Sequence, residues 1–487
     1  MAAATAVPNF AMTQDSSFAS YDGIGLAGLV RRKKASPAEL LDWAIKNAET
    51  ANAKLNFLAH KHYDAAKAQI RAALPSGPFT GVPFLLKDLG VALSGTVTSN
   101  GSLIFKDRVA DFDSELVLRY KRAGLVIFGK TTSPEFGLGG TTESKAFGQT
   151  RNPWNLERVA GGSSGGSGAA VAAGVVPMAH GSDGGGSIRI PASCNGLFGL
   201  KPSRGRIPTG PVATEIWLGL SVRHALTRSV RDSAALMDAT AGTELGSRYT
   251  APAPRTGSFL SELRATRQKL RIALMLTEPS GLPLDVECLT AALSAAKLCE
   301  SLGHHVEEAA PALDVASVRA GFTSVVTCAI AQIVRDRGLE RNRSVCADEV
   351  DSVPWWFNEQ GQKLSALMLT DANSAFQNAA FTMAQFMTRF DVVLSPTLAK
   401  PPIKLGELNN AAVDAPALRK QMTAFSPFTS IANATGQPAM SVPLHWSASG
   451  MPVGVMFMGR YGDEGTLFRL AAQLEQAQPW ANRRPVI

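Results

Sequence analysis

Near the N-terminus, apolar positions with a helical period follow a helix-start pattern. Ser36 can cap a helix, Pro37 suits its first position, and Glu39 can close a capping box. The residues that would then share one helical face are apolar: Leu40, Leu41, Ala44, Ile45 and Ala48. The pattern predicts an amphipathic N-terminal helix.

Further along the chain, short apolar runs between turn residues predict strands, and longer periodic stretches predict helices. The predicted strands are residues 125–129, 175–179, 270–276, 390–394, 441–444 and 453–458. Helices are predicted over residues 169–173, 289–302 and 466–477, and residues from about 316 to 388 have a largely helical pattern. Because strands and helices alternate from end to end, we expect an α/β fold with a large sheet. Residues 242–258, rich in Gly, Pro, Ser and Thr, predict an exposed loop.

One aromatic cluster, Pro354-Trp355-Trp356-Phe357, lies inside the helical stretch. It could line a pocket, or it could pack beneath a helical cap. Packing is the commoner role of such a cluster, so that interpretation is favoured.

Composition and charge narrow the classes of function. Hydrophobic residues make up 45% of the 487 positions and charged residues 18%, which suits a globular protein with a large core. The formal net charge is +8, but Lys and Arg are spread along the chain, and their densest run is only Arg31 to Lys34. Nucleic-acid binders usually concentrate their positive charge, so we expect no nucleic-acid partner.

Cysteine and histidine usage argues against disulfides and metal sites. The five cysteines are odd in number and form no CxxC pair, and no HExxH occurs. The first 12 residues lack the basic and long apolar regions of a signal peptide, and no apolar stretch approaches the ~20 residues that span a bilayer. We therefore expect a cytoplasmic protein with no membrane contact and no metal or organic cofactor.

Two Gly/Ser-rich segments are the candidates for chemistry, residues 161–168 (GGSSGGSG) and 183–189 (DGGGSIR). A flexible linker is the ordinary interpretation of such a composition. Here core-forming sequence follows each segment directly, which a linker would not show. A phosphate-binding loop is a second alternative, but neither segment has the GxxxxGK[ST] pattern.

Hydrolysis of an amide explains these residue types better. Consecutive glycines before Ser187 let the backbone turn the N–H groups of Gly184, Gly185, Gly186 and Ser187 toward one point, where they could bind an oxyanion. A serine nucleophile needs a base. His180 is the one histidine near either serine, but Lys87, in the apolar run GVPFLLKDL, is the better candidate because burial would lower its pKa. The alternative, a surface lysine paired with Asp88, stays open at this point.

Together these segments resemble the amidase signature family. Residues 161–167 resemble its GGSSGGS core, residues 183–191 its DxGGSIRxP element, and residues 81–88 the element that holds its lysine. The 24 residues between Ser163 and Ser187 (187 − 163) also match the family's spacing, and residues 199–203 and 436–439 resemble two later motifs.

The resemblance implies one compact α/β domain over residues 1–487, with a mixed sheet of about eleven strands surrounded by helices. Within it we expect an N-terminal helical segment at about 20–75, the signature core at about 76–210 and a pocket-shaping helical region at about 316–388. It implies the catalytic set Lys87, Ser163 and Ser187, acting through an acyl-enzyme. It also implies a cis peptide bond between Gly162 and Ser163.

Closer likeness at residues 148–156, 204–207, 471–475 and 483–485 points to a branch of the family that hydrolyses 6-aminohexanoate oligomers. The expected substrate is thus a small, mainly apolar linear or cyclic amide. An anilide or carbamate substrate is one alternative, and a role as the amide-cleaving component of a tRNA-dependent amidotransferase is another. A homodimer stays open. We further expect Lys87 to be neutral and Asp88 to turn away from it, since successive side chains of an extended segment point to opposite faces.

Overall fold

The computed structural model describes residues 18–266, 268–278, 281–410 and 414–487. The first 12 residues, for which the sequence predicted no signal peptide, lie outside these ranges.

A mixed sheet of eleven strands forms the centre of the described fold, in the order β1-β3-β2-β8-β10-β9-β14-β15-β13-β11-β12. In chain order the strands are β1 (Leu58–Lys61), β2 (Pro83–Lys87), β3 (Val126–Thr131), β4 (Glu143–Ser144), β5 (Gly148–Gln149), β6 (Arg151–Asn152), β7 (Asn155–Val159), β8 (Met178–Asp183), β9 (Phe198–Lys201), β10 (Val222–Thr227), β11 (Arg271–Leu274), β12 (His305–Glu308), β13 (Val392–Pro396), β14 (Ala439–Trp446) and β15 (Pro452–Gly459). Strands β4 to β7 form two small separate hairpins. The fold class expected from the sequence is confirmed.

Helices cover both faces of this sheet. They are α1 (Gly23–Arg31), α2 (Pro37–Leu55), α3 (Tyr63–Arg71), α4 (Glu115–Arg122), α5 (Gly165–Ala172), α6 (Arg189–Asn195), α7 (Val230–Thr240), α8 (Phe259–Glu262), α9 (Val286–Ser301), α10 (Val315–Glu340), α11 (Ser352–Gly361), α12 (Ala366–Phe386), α13 (Ala415–Phe425), α14 (Thr429–Thr435) and α15 (Glu464–Ala477).

Strand β2 shows how the sheet is buried on both sides. Phe84 and Leu86 belong to one apolar cluster, which also contains residues of α7, α9 and α15. Leu85, between them, belongs to a second cluster with residues of α2 and α5. Because side chains alternate along a strand, a continuous apolar run is what a strand covered on both faces requires. The charged residue at its end, Lys87, is therefore carried into the interior.

The predicted N-terminal helix is confirmed as α2. Ser36 caps it and forms the capping box with Glu39, and Pro37 is its first residue. The segment at 20–75 is not helical throughout, however, because β1 lies within it as an edge strand of the main sheet. Its sequence, Leu-Ala-His-Lys, is too short and mixed to show an apolar period.

The predicted strand at 175–179 is displaced: β8 runs from Met178 to Asp183. Val175 and Val176 are buried, but they form the turn after α5. The strand continues instead through polar residues, all of them buried. Hydrophobicity locates this segment of chain but not the strand, because His180, Ser182 and Asp183 of the strand are polar.

The region at 316–388 is helical as expected, with α10, α11 and α12 packed together. By length and composition alone, α10 is apolar enough to cross a membrane, although no membrane span was predicted from the sequence. The core helix of a folded protein can be equally long and apolar. Here Val326, Ile330 and Val334 of α10 pack into an apolar cluster with Phe357 of α11, and Val325 packs with Phe376 of α12.

Candidate active site

Lys87 is buried at the end of β2, with none of its surface exposed. Its Nζ lies 2.7 Å from Ser163 Oγ and 3.0 Å from Ser182 Oγ, within hydrogen-bond distance of both hydroxyls. Burial lowers the pKa of Lys87 well below its usual value; the charge of Asp183 opposes this shift and that of Arg223 reinforces it. The alternative of a surface lysine is wrong.

Asp88 turns away from Lys87, as expected. Its carboxylate accepts a hydrogen bond of 3.0 Å from the backbone N–H of Ser99 and another from the Ser99 hydroxyl, and it lies 3.5 Å from His60 Nε2. The Asp88 carboxylate is thus bonded on the other side of the strand, and it does not form an ion pair with Lys87.

Ser163 follows a cis peptide bond with Gly162, the bond that the sequence led us to expect. It is almost fully buried, and helix α5 begins two residues later. The next residue, Ser164, donates its backbone N–H to the carbonyl of Ser187 at 3.3 Å. The two Gly/Ser-rich segments therefore meet in space, with Lys87 bonded to the first of them.

Ser187 lies between β8 and α6 and is partly exposed at the wall of a cavity. Among the described residues its hydroxyl makes no hydrogen bond with Ser163. Nucleophile and base are often poorly aligned in a free enzyme and draw together when substrate binds. The structure brings all three predicted catalytic residues into one region.

Neighbouring side chains leave little room for a Cβ at the three glycines before Ser187. A Cβ on Gly184 would lie 2.8 Å from Trp217, and one on Gly185 would lie 3.0 Å from Phe322. Gly186 has a φ of +133°, and a Cβ there would lie 2.5 Å from the Thr429 hydroxyl. Gly184, which fills the variable position of the DxGGSIRxP element, is therefore packed against an indole ring.

Three of the four predicted oxyanion donors have no acceptor within the described parts of the chain: the backbone N–H groups of Gly184, Gly185 and Ser187. Gly186 differs from the expectation, because its N–H donates to Asp183 Oδ1 at 2.8 Å. A carboxylate is a stronger acceptor than a carbonyl, so this N–H serves to hold the loop.

Asp183 and Arg189 anchor this loop through a fully buried ion pair. Arg189 donates from Nη2 to Asp183 Oδ1 at 2.9 Å and from Nε to Oδ2 at 3.0 Å. Asn433, on α14, donates to the same carboxylate at 2.9 Å and to the Leu220 carbonyl at 2.9 Å. Burial alone would raise the pKa of Asp183, but the charges of Arg189 and Lys201 and these hydrogen bonds outweigh it and hold the pKa below its usual value.

His180 bonds to neither catalytic serine. Its Nδ1 accepts the backbone N–H of Lys87 at 3.2 Å, and its ring lies edge-on to Tyr120. Burial, reinforced by the nearby positive charges of Arg223 and Lys87, lowers its pKa well below the usual value. The geometry gives Lys87, and not His180, a bond to Ser163.

A cavity of about 190 Å³ opens onto Ser187. Its wall combines the glycine loop with residues of α6, α10, α11, α13 and α14. The apolar part of this wall includes Leu138, Ile190, Trp217, Phe322, Val326 and Phe357. Of the aromatic cluster at 354–357, only Phe357 lines this cavity, whereas Trp355 borders a separate one. Both roles considered for that cluster are thus present in part, because Phe357 lines the cavity and also packs against α10.

Comparison with known proteins identifies the family. The family model described as Amidase matches residues 39–468, most of the chain. The chain belongs to the amidase signature family. This amidase is 38% identical to a 6-aminohexanoate-cyclic-dimer hydrolase of Paenarthrobacter ureafaciens over 480 residues, which cover 95% of this chain and 96% of that protein. It is accordingly an amide-hydrolysing enzyme.

Solved structures agree with this assignment. The amidase matches a structure of 6-aminohexanoate cyclic dimer hydrolase complexed with substrate at a TM-score of 0.90 and 36% identity, covering 96% of this chain and 99% of that one. It matches a bacterial aryl acylamidase of the same family at a TM-score of 0.86 and 27% identity, with coverage of 96% and 99%.

Sequence reasoning missed several residues of this site. Ser182 lies in a strand that the hydrophobic pattern misplaced, and Trp217, Phe322, Thr429 and Asn433 approach the glycine loop from distant parts of the chain. Only the Asp183–Arg189 pair had a local signal, since both residues flank the glycines within one motif.

Proposed function

We propose that this amidase cleaves its substrate through an acyl-enzyme, with Ser187 as nucleophile, Ser163 as proton relay and Lys87 as base. The observation that supports this most directly is the 2.7 Å approach of the buried Lys87 Nζ to Ser163 Oγ. A neutral amine at that position can accept a proton, whereas an ammonium cannot.

In the proposed reaction Lys87 takes a proton through Ser163 as Ser187 attacks the amide carbonyl. The N–H groups of Gly184, Gly185 and Ser187 stabilise the oxyanion, and the loss of one such donor typically costs about 3 kcal/mol in the barrier. Ser163 then returns the proton to the leaving amine, because a free amide anion leaves poorly. Water attacks the ester of Ser187 by the reverse relay and releases the acid.

The proposed substrate is a small, mainly apolar amide such as a 6-aminohexanoate oligomer. The full-length likeness to the cyclic-dimer hydrolase supports this choice, as do the volume and the apolar wall of the cavity at Ser187. Aryl acylamides are the second candidate, favoured by the structural match to an aryl acylamidase and by the aromatic rings of Trp217, Phe322 and Phe357 in that wall.

A fluorophosphonate, which reacts with activated serines, tests the assignment of the nucleophile. We expect mass spectrometry to show one adduct, on Ser187, and Ser187→Ala to abolish both the adduct and turnover of a panel of linear amides, cyclic amides, anilides and carbamates. Ser164→Ala is a matched control, because the Ser164 hydroxyl bonds to the backbone of Ser182 and, among the described residues, to no other group. This variant should still be labelled on Ser187. An adduct on Ser163 or Ser164 would overturn the assignment, and turnover of glutamine alone would favour the amidotransferase function.

A further inference from the structure

The cavity at Ser187 is lined by two cationic side chains, Arg319 of α10 and Arg419 of α13. No carboxylate lines it within the described residues. The wall is otherwise apolar or carries small hydroxyl groups, so these guanidinium groups decide which charged groups a substrate can carry there.

Of these two guanidinium groups, only that of Arg319 is paired with a carboxylate among the described residues. Arg319 Nη2 lies 3.2 Å from Oε1 of Glu278, whose side chain is 1% exposed. Arg419 has no carboxylate within ion-pair distance in the part of the chain that the structure describes. Its guanidinium instead contacts the hydroxyl of Thr323, which also lines the cavity, and lies 5.9 Å from the ring centroid of Phe357.

A half-buried guanidinium without a counter-ion is an unusual feature, because desolvation disfavours its charge. That burial lowers the pKa of Arg419, although an arginine keeps its proton at neutral pH. The planar guanidinium presents several N–H donors in a geometry that matches a carboxylate, and a site shielded from water strengthens such a pair.

We propose that the preferred substrates are amides that carry a carboxylate at the end remote from the scissile bond, and that Arg419 binds this group with the Thr323 hydroxyl beside it. The inference rests on the proposed function and specifies its substrate class. It favours linear acids over neutral cyclic amides. It disfavours a terminal ammonium, which both arginines would repel.

Three matched anilides test the preference. Glutaryl 4-nitroanilide carries the carboxylate, its methyl ester is the neutral counterpart, and 4-aminobutyryl 4-nitroanilide carries an ammonium. We expect kcat/KM of the native enzyme to be highest for the acid and lowest for the cation. Arg419→Gln should lower kcat/KM for the acid about 10- to 100-fold, chiefly through KM, and should change that for the ester by less than about threefold, since one charge-assisted pair is removed.

Two variants of the same helix serve as controls. Lys420→Gln removes an exposed positive charge next to Arg419 and should leave the acid-to-ester ratio unchanged. Arg419→Lys keeps the charge but not the planar donors, so it should retain part of the preference. Equal values of kcat/KM for the acid and the ester in the native enzyme would refute the proposal. So would an equal loss of kcat/KM for both substrates in Arg419→Gln.

Protection of Ser187 from the fluorophosphonate gives a second measurement that does not require turnover. Glutarate monoanilide should slow the labelling more than its methyl ester does, and Arg419→Gln should remove the difference. If Ser187 is never labelled, the proposed function fails. If it is labelled and the two ligands protect equally, only the inference about Arg419 fails.

Discussion

Lys87 is held among charged and polar groups of several elements, and their balance sets its protonation. Burial lowers its pKa most strongly, Asp183 at the end of β8 raises it, and Arg223 of β10 lowers it. Arg223 lies opposite Ser182 in the β8–β10 ladder, on the face where Ser182 contacts Lys87. Since an arginine releases its proton far less readily, the lysine is the group that becomes neutral.

The rate should therefore depend on pH through Lys87. In the proposed mechanism only neutral Lys87 can accept a proton, so kcat/KM for an uncharged amide should rise as the pH increases through the lowered pKa of Lys87. Lys87→Ala should lower the rate about 100- to 10,000-fold and flatten this acid limb.

Lys87→Arg is the more discriminating variant, because it keeps a long basic side chain that cannot act as the proposed base. It should be as inactive as Lys87→Ala, since a guanidinium stays protonated. Measurement of kcat/KM from about pH 5 to pH 10 checks both variants. Near-native turnover by Lys87→Arg would show that another group is the base.

The loop from β8 to α6 is shaped by side chains that reach it from other elements. Its glycines leave room for Trp217, Phe322 and Thr429, and Gly186 N–H is bonded back to Asp183. Consequently the N–H groups of Gly184, Gly185 and Ser187 are left without a protein acceptor in the described residues, and the shape of the loop that carries them depends on packing as much as on backbone freedom. The sequence predicted that this loop has special geometry, but it could not predict the neighbours that impose it.

Gly184→Ala should test this packing. The added Cβ would lie 2.8 Å from the Trp217 ring, so either the ring or the loop has to move. We expect kcat/KM to fall at least about tenfold through kcat, because the donors are displaced. In the background of Trp217→Ala the same substitution should cost much less, since the obstructing ring is gone.

A double-mutant cycle on kcat and KM measures this coupling. If Gly184→Ala lowers kcat/KM by the same factor in both backgrounds, the glycine is needed for its conformation and not for the space it leaves.

Local pattern predicted many elements of the fold but not where several of them begin. The strands at β3, β11 and β13 to β15 and the helix α2 were expected from apolar runs and capping residues, and all are present. The polar strand β8 was misplaced and the edge strand β1 missed, because neither has an apolar period. The resemblance to the family's motifs linked Lys87, Ser163 and Ser187, whereas Arg419 and Asn433 reach the site only through tertiary packing.

Across the whole molecule, one buried polar network joins segments that are far apart in the chain. Arg189 donates to the Thr429 carbonyl and to Asn433 Oδ1, both on α14. Asn433 in turn donates to the Asp183 carboxylate and to the Leu220 carbonyl. Both charged side chains are 0% exposed. The network thus fastens the glycine loop to α14 and to the segment before β10.

Asp183→Asn should destabilise the protein by about 3–5 kcal/mol, because it leaves Arg189 buried without a counter-ion. Because the folded-state pKa of Asp183 lies below the unfolded one, its contribution is complete above the unfolded pKa and is lost as the pH falls toward the folded one. Urea unfolding at neutral pH should show a lower midpoint.

Asp336→Asn provides the comparison, since it breaks an exposed pair with Arg335 and should leave the midpoint nearly unchanged. Equal midpoints for Asp183→Asn and the native protein would mean that the buried pair adds nothing to stability. The cytoplasmic location and the single domain stay predictions from the sequence, and the homodimer stays open.

The main sheet ends at β12, whose residues His305, Glu307 and Glu308 are exposed. An open edge is a template on which another copy can add its own strand and extend the sheet into a fibre. At this edge Glu307 and Glu308 lie in a strand of only four residues, and a second copy added in parallel register would bring like charges opposite one another. The two glutamates therefore disfavour extension of the sheet by another copy at β12.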